Sequence, residues 1–160
     1  MAIYNNRDKI PTVSSRGRYL YNYWQDGDHV RGIWRRTTLD EYRKEEPKWE
    51  TVLDLDGLAS AEGENWVWGG PTCLPPEYSR CLIGLSDGGT DAKTYREFDT
   101  VKKAFVADGF IVPAAKSRIS WKDVDHLWIG TDFGEGSLTE SGYPRFARLW
   151  TCLLYTSDAA

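Results

Sequence analysis

The stretch Arg80–Asp99, RCLIGLSDGGTDAKTYREFD, has two incompatible readings, and the choice between them decides the fold. Within it Gly84–Gly88, GLSDG, satisfies the G-x-S-x-G pattern of the serine-hydrolase nucleophile elbow. An elbow needs a strained strand-to-helix turn, so that the serine oxygen is exposed and the next backbone N–H can stabilise an oxyanion. The residues after the glycines, AKTYREFD at 92–99, alternate as a strand does. An apolar run (RCLIGLS, 80–86), a glycine turn (DGGTD, 87–91) and an alternating strand together form a β-hairpin pattern. Ser86 is therefore expected at the mouth of a hairpin turn. The histidines do not supply it with a base, because His29 falls in a turn and His126 opens a strand.

The same grammar recurs on both sides. Upstream, RYLYNYW (18–24), the turn QDGDH (25–29) and VRGIWRRT (30–37) form a second hairpin pattern; downstream, HLWIGTDFG (126–134) returns through a Gly/Ser-rich loop as RFARLW (145–150). Related hairpins in series imply an internal repeat. The hairpins at 80–99 and 126–150 are each preceded by a short Trp-bearing strand, NWVW (65–68) and RISW (118–121), and WETVLDL (49–55) and KAFVADGFIV (103–112) supply outer strands. Inner strand, two long strands and an outer strand are the plan of a propeller blade. The expected fold class is thus all-β, with antiparallel four-stranded blades forming the first two to three blades of a β-propeller. Helix is minor: TLDEYRKEE (38–46) offers Thr38 as an N-cap with Glu41 three residues on, and DGLASAEGE (56–64) holds another turn or two. WGGPTCLPPEYSR (68–80) reads as loop, where the inner edge of the second blade should run.

Composition bounds the partners. A chain of 160 residues that is 41% hydrophobic and 28% charged, with eight Trp and nine Tyr, is too apolar for a disordered segment and favours strands. A net charge of -4 gives no electrostatic footprint for nucleic acid or an anionic membrane face. The one basic cluster, RGIWRR at Arg31–Arg36, reads as the polar face of a strand. No apolar run approaches the roughly eighteen residues of a membrane span. No leader follows Met1, and with an N-terminus expected upstream both cytoplasm and periplasm stay open. Cys73, Cys81 and Cys152 show neither zinc spacing nor the density of a disulfide scaffold. VLDLDGLASAEG (52–63) imitates a calcium loop through Asp54, Asp56 and Gly57, but Val52 stands where an Asp is required and Gly63 where a bidentate Glu is required. No catalytic, cofactor-binding or metal-ligating residue is therefore assigned, and no cofactor is expected.

The stretch from Gly17 to Trp68, above all RGIWRRTTLDEY (31–42) and AEGENWVW (61–68), resembles the opening of the propeller in bacterial members of the prolyl oligopeptidase family of serine peptidases. The likeness continues through CLPPEYSRCLIGLSDGGTDAKTYREFD (73–99) and SRISWKDVDHLWIGTDFGEGSLTESGYPR (117–145). The resemblance implies a seven-bladed propeller capping an α/β-hydrolase domain that carries the Ser, Asp and His of the triad. It divides the chain into the end of a lead segment (1–16), a partial propeller (17–150) and a tail (151–160). That tail is TCLLYTSDAA, and its last nine residues resemble a translated sequencing adapter, so the natural sequence is expected to end near Trp150. The implied role is a substrate-gating propeller in a peptidase of short peptides, whose partners are those peptides and the hydrolase domain. The alternative is a propeller used as a non-catalytic binding module, and downstream sequence discriminates between them.

Overall fold

The computed structural model of the protein describes residues 9–152 and arranges their strands in three antiparallel sheets in chain order. The first sheet runs β1 (Ser14–Arg16), β2 (Tyr19–Trp24), β3 (Ile33–Thr38) and β4 (Glu50–Asp54), each beside the next. Two short helices flank β4, α1 (Leu39–Tyr42) and α2 (Leu55–Glu62). The second sheet has β5 (Trp66–Cys73), β6 (Arg80–Asp87) and β7 (Lys93–Asp99), with β8 (Ala104–Phe105) and β9 (Ile111–Ala115) both paired to β7. The third holds β10 (Arg118–Asp123), β11 (His126–Gly130) and β12 (Arg148–Thr151). Each sheet starts with the strand at one edge and steps outward, as propeller blades do, so the architecture is a partial β-propeller. The first sheet begins at Ser14, three residues ahead of the boundary expected at Gly17, because Ser14↔Tyr21 and Arg16↔Tyr19 pair in register.

Local chemistry sets the connections. Thr38 caps α1 by accepting from the Glu41 amide at 3.3 Å, and Asp54 caps α2 by accepting from the Gly57 amide at 3.1 Å. Both satisfy amides that the first helical turn leaves without partners. Gly63 ends α2 in the left-handed region, at φ 67°, where a side chain would be strained.

The central sheet is buried on both faces, which explains the near-continuous apolar run of β6. Cys81, Ile83 and Leu85, with Phe98 of β7, pack against Tyr21, Trp34, Val52 and Leu55 of the first sheet and α2. From the opposite face Leu82 joins Phe110, Leu127 and Cys152 against the third sheet. Fully burying each such aliphatic side chain contributes about 1.5–3 kcal/mol, so the contact between sheets rather than within them dominates stability. The Cys152 amide donates to the Asp125 carbonyl at 2.8 Å, fixing the end of the described chain into this second core.

Three expectations are corrected. The segment expected as loop after Trp68 is strand: β5 continues to Cys73 through a bulge between Trp68 and Gly70. Gly70 takes φ 91° there, and a Cβ on Gly69 would stand 2.7 Å from the Gly84 carbonyl oxygen, so this bulge needs glycine. Pro71 is tolerated because β5 is hydrogen-bonded to β6 alone. Cys73 and Cys81 face each other in the last rung of this pairing and form a disulfide. Cysteine count alone could not show it, since the pairing depends on the extension of β5. Finally, the outer strand expected over 103–112 is broken into β8 and β9. A turn containing Asp108 at φ 56° separates them, while the Glu97 backbone bridges both pieces through Val106 and Phe110.

Candidate functional site: the clefts between blades

Ser86 lies next to the end of β6, opposite Val67 of β5, and is 3% exposed. Strand continues on both sides of its turn, as the hairpin reading requires. His29 is held by Asp26 (Nδ1 to Oδ1, 3.0 Å) and His126 by Asp123 (2.6 Å), each within its own turn. Among the described residues neither histidine bonds to Ser86, so GLSDG is a structural hairpin. The imitation of a calcium loop dissolves similarly. Asp54 caps α2, and the Asp56 carboxylate accepts from the Arg31 and Gly32 amides at 3.1 and 3.2 Å, tying α2 to the β2–β3 turn. The basic cluster is also divided rather than forming one polar face. Arg36 pairs with Glu50 at 2.6 Å, whereas Arg35 lies between the rings of Trp24 and Trp49, 4.4 and 4.2 Å from their centres. Burial there draws the Arg35 guanidinium down to about 10.

What the sheets do build is a pair of clefts. Between the first and second sheets a cleft of about 620 Å³ is walled by Tyr23, Val30, Trp66 and Trp68, with Arg31 and Asp56 at its polar side. The Tyr23 hydroxyl donates to the Arg31 carbonyl, and its ring stacks on Trp68 at 4.7 Å and 4°. A Cβ on Gly32 would stand 2.5 Å from the Tyr23 ring, so glycine is required for the close approach. Arg31 then crosses between sheets, donating to the Trp66 carbonyl at 2.7 Å and the Asn65 side-chain oxygen at 2.9 Å. Burial, with Asp56 and Asp54 nearby, pushes the Tyr23 hydroxyl well above the usual tyrosine range, so it stays a proton donor.

A second cleft, about 460 Å³, opens between the second and third sheets and contains Lys93, Lys116, Arg118, Tyr95 and Ser86. Burial likewise raises the Tyr95 hydroxyl. Among the described residues, neither cleft brings a nucleophile, a base and an orienting acid together. The clefts were not legible in the sequence because their walls come from three sheets.

A family model described as the prolyl oligopeptidase N-terminal β-propeller domain matches residues 1–159. The chain belongs to the prolyl oligopeptidase family. It is 45% identical over 144 residues to the uncharacterized peptidase y4nA of Sinorhizobium fredii, a match spanning 89% of this chain and 20% of that protein. It is 31% identical over 155 residues to the uncharacterized peptidase RP174 of Rickettsia prowazekii, spanning 92% of this chain and 21% of that one. Among solved structures it is similar to a post-proline cleaving enzyme from Rickettsia typhi, with TM-score 0.87, 31% identity and coverage of 94% of this chain and 23% of that one. Oligopeptidase B of Leishmania major shares the fold, with TM-score 0.69 at 17% identity over 98% of this chain and 21% of that one. The chain thus spans about a fifth of the length of the curated relatives it matches. In this prolyl oligopeptidase propeller the three sheets are blades, and β1, β5 and β10 are the edge strands with which they begin.

Proposed function

We propose that the chain is the substrate-gating part of a serine peptidase of prolyl-oligopeptidase type that hydrolyses short peptides. The observation that carries the reading is the match of residues 1–159 to this propeller domain, together with blades that pack face to face and each begin at an edge strand. Its relatives are named as peptidases, and the Rickettsia typhi protein as a post-proline cleaving enzyme, which supports peptides as the substrate class. A ring of blades over a hydrolase pocket excludes folded proteins by size, admits short flexible chains and keeps bulk water from the reacting centre. Acylation of a serine by general-base catalysis and hydrolysis of the acyl-enzyme would then occur in a C-terminal α/β-hydrolase domain.

The test is the hydrolysis rate of the full-length gene product on a ladder of peptides of increasing length and on a folded protein. Rates should fall steeply with size and vanish for the folded protein. Equal cleavage of large and small substrates would contradict gating, and no cleavage of any peptide would favour the non-catalytic binding module.

A further inference from the structure

Val67 and Trp68 line both clefts. The apolar cleft between the first and second blades and the polar cleft between the second and third therefore meet across one rung of β5. Both open at the end of the blades that carries the β2–β3 and β6–β7 turns, since Gln25 and Val30 border the first and Gly89 and Thr90 the second. β5 pairs with β6 alone, so its other edge is open beside them.

Charge is distributed against the chain's bias. The protein has 20 Lys and Arg against 24 Asp and Glu, yet the second cleft gathers Lys93, Lys116 and Arg118 around a single carboxylate, Asp91. Asp91 is 80% exposed and 3.9 Å from Lys116, so it neutralises little. Lys93 donates to the Gly69 carbonyl at 3.4 Å and Lys116 to the Ser141 carbonyl at 3.0 Å, and each ammonium has N–H groups left over. Among the described residues, Arg118 has no hydrogen-bonded or ion-paired partner for its guanidinium. Cations crowded in a concave site with spare donors repel one another and are stabilised by an anion. The neighbouring stack of Tyr23 and Trp68, with Trp66, offers an apolar wall for the body of the same ligand.

We infer that the two clefts form one groove that holds a short peptide by a carboxylate, with an apolar side chain against Trp68 and the carboxylate at Lys93, Lys116 and Arg118. The inference rests on the peptide reading above and adds to it a site and a charge preference.

The experiment titrates the full chain with acetyl-Ala-Leu-Ala as the free acid, the same peptide as its amide, an amidated analogue carrying Glu, and inorganic phosphate. Binding is followed by tryptophan fluorescence and calorimetry. The free acid should bind at least tenfold more tightly than the amide. Recovery of affinity by the Glu analogue would show that a side-chain carboxylate serves as well as the C-terminal one; failure to recover would assign the site to the terminus. Lys116→Gln and Arg118→Gln should each reduce the acid preference several-fold with the circular-dichroism spectrum unchanged, while Lys122→Gln, exposed on the same strand but outside the groove, should leave it intact. Absence of binding, equal binding of acid and amide, tighter binding of phosphate than of the peptide, or variants that keep the preference would overturn the inference. Equal binding would leave the peptide reading standing, whereas a full-length product without peptidase activity would remove that reading and not the carboxylate site.

Discussion

The rings of Tyr23 and Trp68 stack 4.7 Å apart and 4° from parallel across the boundary between the first two blades. Trp34 adds a third ring, 5.7 Å from Trp68, so the boundary is an aromatic layer and not merely a meeting of aliphatic faces. Aromatic pairs contribute about 0.5–1.5 kcal/mol beyond the area they bury. A double-mutant cycle of Tyr23→Leu and Trp68→Leu, read by urea unfolding, should therefore return a coupling of about 1 kcal/mol. Strict additivity would show that the blades are held by other contacts.

Two carboxyl groups should give opposite pH signatures. Burial pushes Glu97 above the ordinary carboxylate range, and the Phe110 amide and Arg80 offset this only in part, with Asp99 and Asp125 acting against them. Its Oε1 accepts no hydrogen bond and stands 3.5 Å from Arg80. A carboxyl raised by folding binds more protons folded than unfolded, so its contribution is greatest below the ordinary value of about 4.3 and declines as pH rises through the folded value. Glu50 is the reverse, held down to about 2 by Arg36 and Lys103. Its contribution is present above the ordinary value and lost as pH falls toward the folded one. In urea midpoints measured against pH, Glu97→Gln should raise stability at pH 7 and remove the decline, while Glu50→Gln should lower it at pH 7 and flatten the acid limb.

Ser86→Ala should leave ester and peptide hydrolysis by the chain at background, and a fluorophosphonate probe should not label Ser86. The serine is buried in a hairpin, and both histidines are engaged by aspartates of their own turns. Labelling of Ser86 would restore the elbow reading.

Legibility followed the range of the interactions involved. The β6–β7 hairpin and the Thr38 cap are set by residues within a few positions of one another, and both stand where local pattern puts them. β5 beyond Trp68 was hidden because its glycines and proline resemble loop residues, and only a bulge against β6 makes them strand. The Cys73–Cys81 bond followed β5 into obscurity. The proposed carboxylate groove is harder still, since Trp68 and Lys93 of the second blade meet Arg118 of the third only when the blades stack.

The third blade presents Trp128 and Leu149 directly opposite each other on β11 and β12, 47% and 42% exposed, with Phe146 at 44% beside them. Repeats draw stability from neighbours, and an uncovered apolar face and sheet edge invite another chain. Sedimentation should show concentration-dependent association that Trp128→Lys reduces. A monodisperse chain with a sharp melt would mean that this face needs no covering blade.

Long-read sequencing of the intact gene across codon 150 tests the central proposal most directly. The frame should continue through further blades and enter an α/β-hydrolase domain. There a second G-x-S-x-G should lie between a strand and a helix, with an Asp and then a His following in chain order. A frame that closes after a few more blades, with no such elbow, would contradict the peptidase reading and leave a binding propeller in its place.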